Sequence, residues 1–315
     1  MWLLVHRIAF IGSDGIGERT LAWLAANDRK LFRLAGVVCG QDVRAGRGMK
    51  LQKNSIGKLA ARLGLELLQT DRPNGDLLPW LREREVDLAI IFAYGHILVQ
   101  AVLDGLPLGF LNLHASLLPE LRGPSPIEGA ILQRKKKTGI TLMKMVLRMD
   151  AGPIYGRLSL PIAAKETAPT LREKLGSLAP SLLMTYLPGI LDGSLRPTEQ
   201  DESLATYTKM IRKEDGRLNF SLSAAQLEAQ VRAYGTWPGS FFPLGAVNVR
   251  VGRAEIGPTV DGVAPGAVLG LREDFLEIAA AEGTLRCREL QLPTRKMLPA
   301  KIVWERLTAA TELVR

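Results

Sequence analysis

The chain has 315 residues, 47% of them hydrophobic and 23% charged, with a formal net charge of +9. It is long enough for two domains with a core in each, and too apolar to stay disordered. Its two cysteines, Cys39 and Cys287, exclude a disulfide framework and a cysteine-based zinc site, and no apolar run approaches the roughly 18 residues of a membrane span.

The basic excess favours polyanionic partners such as nucleic acid, or serves solubility alone; charge does not separate the two. Residues 1–12 are apolar but short. They are interrupted by His6 and Arg7 and lack a small-residue cleavage site, so no secretory signal is expected and the cysteine usage fits a reducing cytoplasm.

In chain order, residues 3–11 read as a buried strand, followed by a glycine-spaced turn and a helix through Leu21, Leu24 and Ala25. Residues 34–38 read as a second strand, and 55–63 repeat apolar positions at helical spacing. Short apolar runs at 65–68, 88–92 and 110–113 continue the alternation, with a helix near 126–132. This rhythm predicts a mostly parallel sheet with helices on both faces. Residues 140–145 and 154–162 read as a late pair of strands, and 170–191 as a helix. Residues 192–209 are polar and aperiodic and read as a linker. Beyond them a helix at 224–234 precedes short runs at 247–251, 267–271, 276–279 and 285–292, broken by glycine and proline, which predict a small β-barrel.

Ligands of open α/β sheets bind beyond the carboxyl ends of the strands, so the residues after each strand are the candidates for chemistry. Gly12-Ser13-Asp14-Gly15-Ile16-Gly17 permits a tight turn but has neither dinucleotide spacing nor a phosphate-loop lysine. It reads as an ordinary tight turn. Asn112 and His114, two apart on one strand, present a carboxamide and an imidazole on one face. They are either satisfied core groups or a functional pair. His6 and His96 have no spacing that would build a metal site with His114. Ser116-Leu117-Leu118-Pro119 with Arg122-Gly123-Pro124 is a non-helical loop, on physical grounds an ordinary connection. Asp150, at a strand end before Ala151-Gly152, reads as turn chemistry unless it reaches His114.

Taken in order, Phe110-Leu111-Asn112-Leu113-His114-Ala115-Ser116-Leu117-Leu118-Pro119, Arg122-Gly123, Thr138-Gly139-Ile140-Thr141 and Asp150-Ala151-Gly152 resemble the core of the folate-dependent formyltransferases. The resemblance runs along nearly the whole chain. Phe10-Ile11-Gly12-Ser13 is similar to the family's first strand and turn. Arg44-Ala45-Gly46-Arg47-Gly48 and Ala93-Tyr94-Gly95-His96-Ile97-Leu98 are similar to the basic loop and folate-pocket segment of its methionyl-tRNA branch. Ala205-Thr206-Tyr207, Lys213-Glu214-Asp215-Gly216-Arg217, Trp237-Pro238-Gly239 and Leu290-Gln291-Leu292-Pro293 with Arg295-Lys296 extend it to the end.

The resemblance implies an α/β fold: a Rossmann-like formyltransferase domain over 1–191, a linker over 192–209, and an OB-like β-barrel over 210–315 that binds tRNA. It implies transfer of the formyl group of 10-formyltetrahydrofolate to the amino group of methionyl-initiator tRNA, in the cytoplasm, by a monomer with no metal and no membrane contact. Asn112, His114 and Asp150 would be catalytic, with Asn112 and a protonated His114 donating to the formyl oxygen. Asp150 would orient the ring and take the amine proton. Ser116, Leu117, Leu118 and Pro119 would contact the folate, with Tyr94, Gly95, His96, Ile97 and Leu98 lining its pterin pocket. Arg44, Arg47, Lys50, Arg295 and Lys296 would meet the tRNA. The run Arg134-Lys135-Lys136-Lys137 reads as a solvated helix end, with contact to RNA the lesser alternative.

Three departures mark the match. Arg148 stands where the methionyl-tRNA branch usually has glycine, as in the sugar-amine formyltransferases. His96 replaces a usually apolar residue, and Cys39-Gly40-Gln41-Asp42 lacks the prolines usual there. The competing readings are a formyltransferase for a nucleotide-linked amino sugar, a catalytically idle tRNA-binding homologue, and a folate hydrolase using the same trio with water.

Overall fold

The computed structural model describes residues 5–45, 49–245 and 247–312. The chain divides into two compact units. The first holds residues up to Pro126, Lys137–Pro161 and Arg172–Thr208; the second holds Ile127–Lys136, Ile162–Leu171 and the chain from Lys209 onward.

The elements in chain order are β1 (Arg7–Ile11), α1 (Glu18–Ala26), β2 (Arg33–Cys39), β3 (Val43–Ala45), β4 (Lys50–Gln52), α2 (Ser55–Arg62), β5 (Leu67–Gln69) and α3 (Pro73–Glu83). Then come β6 (Leu88–Ile91), α4 (Gln100–Leu103), β7 (Gly109–His114), α5 (Pro126–Leu132), β8 (Lys137–Lys144), β9 (Ile154–Pro161) and α6 (Ala168–Leu191). Seven strands form one sheet in the order β5-β2-β1-β6-β7-β8-β9. Pairings from β5 to β7 are parallel, and β8 and β9 run antiparallel as a closing hairpin. The expected Rossmann-like α/β unit is therefore present. The central strands are buried without alternation, as in β6, because helices cover both faces. Asn54 starts α2 by accepting the N–H groups of Ile56 and Gly57.

Residues 192–208 pack within the first unit. Thr198 pairs with Ile154 and Tyr207 with Arg122 in isolated bridges. The helix α3 went unread in the sequence because Pro73, Gly75 and Pro79 break its periodicity. Pro73 sits in its first turn, where no amide is needed.

The second unit adds α7 (Ala224–Ala233), β10 (Ser240–Leu244), β11 (Val247–Gly257), β12 (Val268–Arg272), β13 (Phe275–Ala279), β14 (Thr284–Gln291), β15 (Leu298–Pro299) and α8 (Ala300–Glu312). Ser223 and Gln226 cap α7 reciprocally. The sheet runs β10-β11-β14-β13-β12, with β15 on β14, and every pairing is antiparallel. Register shifts in β11 and β12 bend the strands, so the sheet curls into an OB-like half-barrel. Its core joins Val249, Leu276, Ile278, Leu285 and Leu290 to Leu227 and Val231 of α7 and Val303 of α8. Among the described residues no ladder joins β10 to β12. No helix among them is long and apolar enough to cross a membrane.

Candidate active site

Alternation along β7 puts Asn112 and His114 on one face at the end of the strand. Opposite them in β8 lie Met143 and Thr141. The β8–β9 connection carries Asp150 back to this pair. Its Oδ1 is 3.5 Å from the Asn112 Nδ2 and 3.6 Å from the His114 Nδ1. Both distances exceed those of a good hydrogen bond, so the carboxylate saturates neither group. The other oxygen, Oδ2, accepts the Gly123 N–H at 2.7 Å. The His114 Nε2 lies 2.9 Å from the Leu121 carbonyl. A carbonyl only accepts, so Nε2 carries a proton and Nδ1 is the nitrogen turned to Asp150. His114 is 6% exposed and Asp150 12%. The site is thus a shielded carboxylate with an amide and an imidazole converging on one oxygen, and Asn112 half-buried at its edge.

A second layer of polar groups surrounds Asp150. The Gln200 Nε2 donates to the carbonyls of Asp150 and Gly152 at 2.8 and 2.7 Å. Its Oε1 accepts from the Arg122 guanidinium at 3.1 and 2.8 Å. Arg122 is fully buried and makes a two-pronged pair with Glu202, at 3.1 and 2.8 Å. Arg148 also reaches Glu202, at 2.5 Å, and the Tyr207 hydroxyl receives both guanidinium groups. Arg122 above all, then Arg148, holds the Glu202 carboxyl below the usual carboxylate range. The same two cations lower the Tyr207 hydroxyl. Thr206 and Thr208 tie this segment to the loop after β7, through Leu121, Arg122 and Ser125.

Residues 6–187 match the family described as formyl transferase, and residues 210–308 match the formyl transferase C-terminal domain. The chain belongs to the formyl transferase family. Solved structures with the same fold include HypX from Aquifex aeolicus in complex with tetrahydrofolic acid. It is 17% identical with a TM-score of 0.63, and the match covers 94% of this chain and 46% of that one. The chain thus spans about half the length of HypX. An N-formyltransferase from Helicobacter canadensis, in complex with folinic acid and dTDP-3-aminofucose, matches at 15% identity and a TM-score of 0.66, covering 90% and 99% of the two chains. The methionyl-tRNA formyltransferase from Clostridium thermocellum matches at 14% identity and a TM-score of 0.56, covering 82% and 96%.

In this formyl transferase the other expected site residues divide by exposure. Ser116 is turned inward, its hydroxyl donating to the Glu120 carbonyl and its own carbonyl accepting from Thr141. Leu118 is buried against Met143 and Ile154, and Pro119 is buried too; only Leu117 of the four is half-exposed. Tyr94 and Leu98 are buried, His96 is half-buried, and Gly95 and Ile97 face outward, Ile97 at 70% exposure. Ile91 pairs with Asn112, so this segment leaves β6 level with the end of β7. Asn74 pins it by bonding the Ile97 carbonyl and the Val99 amide. Burial pushes the Tyr94 hydroxyl up to about 12 and the Cys39 thiol up to about 11, so both stay protonated at neutral pH.

The Gly12 turn is tied to its neighbours by local bonds. Ser13 donates its N–H to the Ala93 carbonyl, its hydroxyl accepts from Gly40, and Asp14 caps its own 3-10 turn. Arg44 and Lys50 lie on the β3–β4 hairpin, and Arg47 lies outside the described residues. Arg295 and Lys296 are exposed in the turn after β14, in the second unit. Among the described residues no group of His, Cys, Asp or Glu is arranged to hold a metal ion.

The sequence reading missed Gln200, Glu202, Thr206 and Thr208. All four are polar and sit in a run without helical period. The one available signal was the alternation of β-branched Thr206 and Thr208, the mark of an extended segment.

Proposed function

We propose that this formyl transferase carries the formyl group of 10-formyltetrahydrofolate to the amino group of methionine on initiator tRNA, with Asn112, His114 and Asp150 as catalytic residues. The observation that carries this reading is the convergence of the Asn112 amide and the His114 ring on one oxygen of Asp150. When bound, the folate supplies an activated one-carbon unit, and the outward Ile97 and half-exposed Leu117 offer apolar surface for a flat ring. Asn112 keeps one amide hydrogen free to donate to the formyl oxygen. His114 keeps Nε2 on the Leu121 carbonyl and, protonated, donates from Nδ1. Two donors aimed at a developing oxyanion stabilise it without reorganisation, each by roughly 10²- to 10³-fold in rate. As the amine nitrogen bonds to the formyl carbon it loses a proton, which passes by way of Asp150 to the folate nitrogen as the bond from that nitrogen to the formyl carbon breaks. Asp150 takes up that proton, and the bond from Gly123 keeps the carboxylate facing the reaction.

The net charge of +9 supports a tRNA acceptor. On this reading the basic residues Arg44, Arg47, Lys50, Arg295 and Lys296 neutralise phosphates, and residues 210–315 form the tRNA-binding part of a cytoplasmic enzyme. Affinity should then fall steeply with salt. Arg148 is engaged by Glu202 and Tyr207, so its presence needs no sugar nucleotide to account for it. The test is incubation of the purified protein with 10-formyltetrahydrofolate and methionine-charged initiator tRNA. Formylmethionine on the initiator, with little on elongator tRNA, is the expected product. Formylation of an amino-sugar nucleotide instead would overturn the acceptor and keep the trio.

A further inference from the structure

Asp150 stands at φ +50°, in the left-handed region that an L residue adopts only when its surroundings hold it there. Its side chain is held by Gly123 and its main chain by Gln200. We propose that Gln200 is a positioning residue for Asp150, and that residues 200–207 strap the catalytic loop in place.

The chemistry of the partners leaves Gln200 one orientation. A guanidinium only donates, so the amide oxygen must face Arg122, and the amide nitrogen is then turned to the two carbonyls on either side of Ala151. Arg122 is itself fixed by the two-pronged pair with Glu202. Residues 122 and 123 therefore hold Asp150 twice, through the Gly123 amide and through the Gln200 side chain. Arg148 is a second fastening of the same loop, bonded to Glu202 and Tyr207 two and seven residues beyond Gln200. The residue that departs from the methionyl-tRNA pattern thus closes the strap.

The inference rests on the formyl-transfer reading only for its kinetic arm. The variant Gln200→Glu keeps an acceptor for Arg122 and removes the two donors to the loop. Amide hydrogen exchange then reads the loop without any substrate. The Gly123 N–H should exchange about tenfold faster or more, while the amides of β1 keep their rates. In formyl transfer, kcat should fall roughly ten- to a hundredfold with KM for the folate changed by less than about twofold. In an Asp150→Asn background the same substitution should change kcat by less than about twofold, because its effect passes through Asp150. Unchanged exchange at Gly123, or losses that multiply in the two backgrounds, would overturn the proposal. A wild type that makes no formylmethionine refutes the functional reading and leaves the exchange arm to decide this one. Gln200→Met repeats the exchange test without an added charge. Failure of both variants to fold, where Asp150→Asn folds, would make Gln200 a residue of stability and overturn its positioning role.

Discussion

At the end of β1 the strand ends are joined mainly by backbone bonds, whereas at the end of β7 they are joined by side chains from distant segments. Gly12 donates to the Val38 carbonyl and Ser13 to that of Ala93, and a Cβ on Gly12 would meet the Phe92 oxygen at 2.7 Å. The strand ends there are sewn together, and the polar side chains of the turn, Ser13 and Asp14, are bonded to Gly40, Ile16 and Arg172. After β7, in contrast, Asn112, His114, Asp150, Arg122, Gln200 and Glu202 form one bonded cluster in which the backbone supplies mainly acceptors. Both turns belong to the same sheet and both contain glycines. The difference teaches that a glycine-rich turn after a strand is a packing device when its amides are consumed by neighbouring strands. Side chains that converge without saturating one another, as after β7, leave polar groups available to a ligand.

Substitutions should separate the two regions. The largest effect belongs to His114→Ala. It should lower kcat by roughly 10²- to 10³-fold or more, with tRNA binding by filter or fluorescence assay retained. Loss of tRNA binding in a protein that still unfolds cooperatively would make His114 a binding residue instead. Gly12→Ala should do the opposite. Its methyl forces the loop after β6 outward, lowering stability by about 1–3 kcal/mol in urea unfolding while kcat of the folded fraction changes little. A large kcat loss at unchanged stability would place chemistry at that turn and erase the contrast.

The polar cluster should also respond to acid. Its folded Glu202 titrates below the unfolded value of about 4.3. Its contribution to stability is therefore complete above that value and lost as pH falls through the lower folded one. The thermal midpoint of the wild type should fall as the pH drops below about 4.3, toward that of Glu202→Gln, which starts lower and varies less with acid. Parallel curves would remove Glu202 from the strap. The smallest effect should come from Arg148→Gly. Arg148 is exposed, and Arg122 keeps its own bonds to Glu202, so activity should change by about threefold or less. A shift of acceptor preference toward amino-sugar nucleotides in either protein would give Arg148 a part in substrate choice.

Much of the frame was legible in the residues. The strands β1, β2, β6 and β7 show as apolar runs because a strand covered on both faces has no polar side. The helix α7 shows through its helical period. Where prolines interrupt the pattern, as in α3 and at Pro243 of β10, the element is invisible to periodicity and forms because tertiary packing outweighs propensity. Asn112 and His114 were legible as a pair because two residues apart on a strand means one face. Asp150 joined them only by resemblance, since nothing local says where a turn 38 residues away will land.

The sequence by itself determined the alternation that makes the sheet, the two-part organisation of the chain and the presence of an amide and an imidazole on one strand face. These follow from period and pattern, which are local properties. Only the tertiary structure decided that Asp150 meets both groups, that Ser116 and Leu118 turn inward, and that a polar segment read as a linker bonds the β8–β9 loop through Gln200 at Asp150 and Glu202 at Arg148. Those contacts join residues far apart in the chain. Such hydrogen bonds depend on angles and separations that only the folded packing of the β8–β9 loop against residues 121–123 and 200–207 creates.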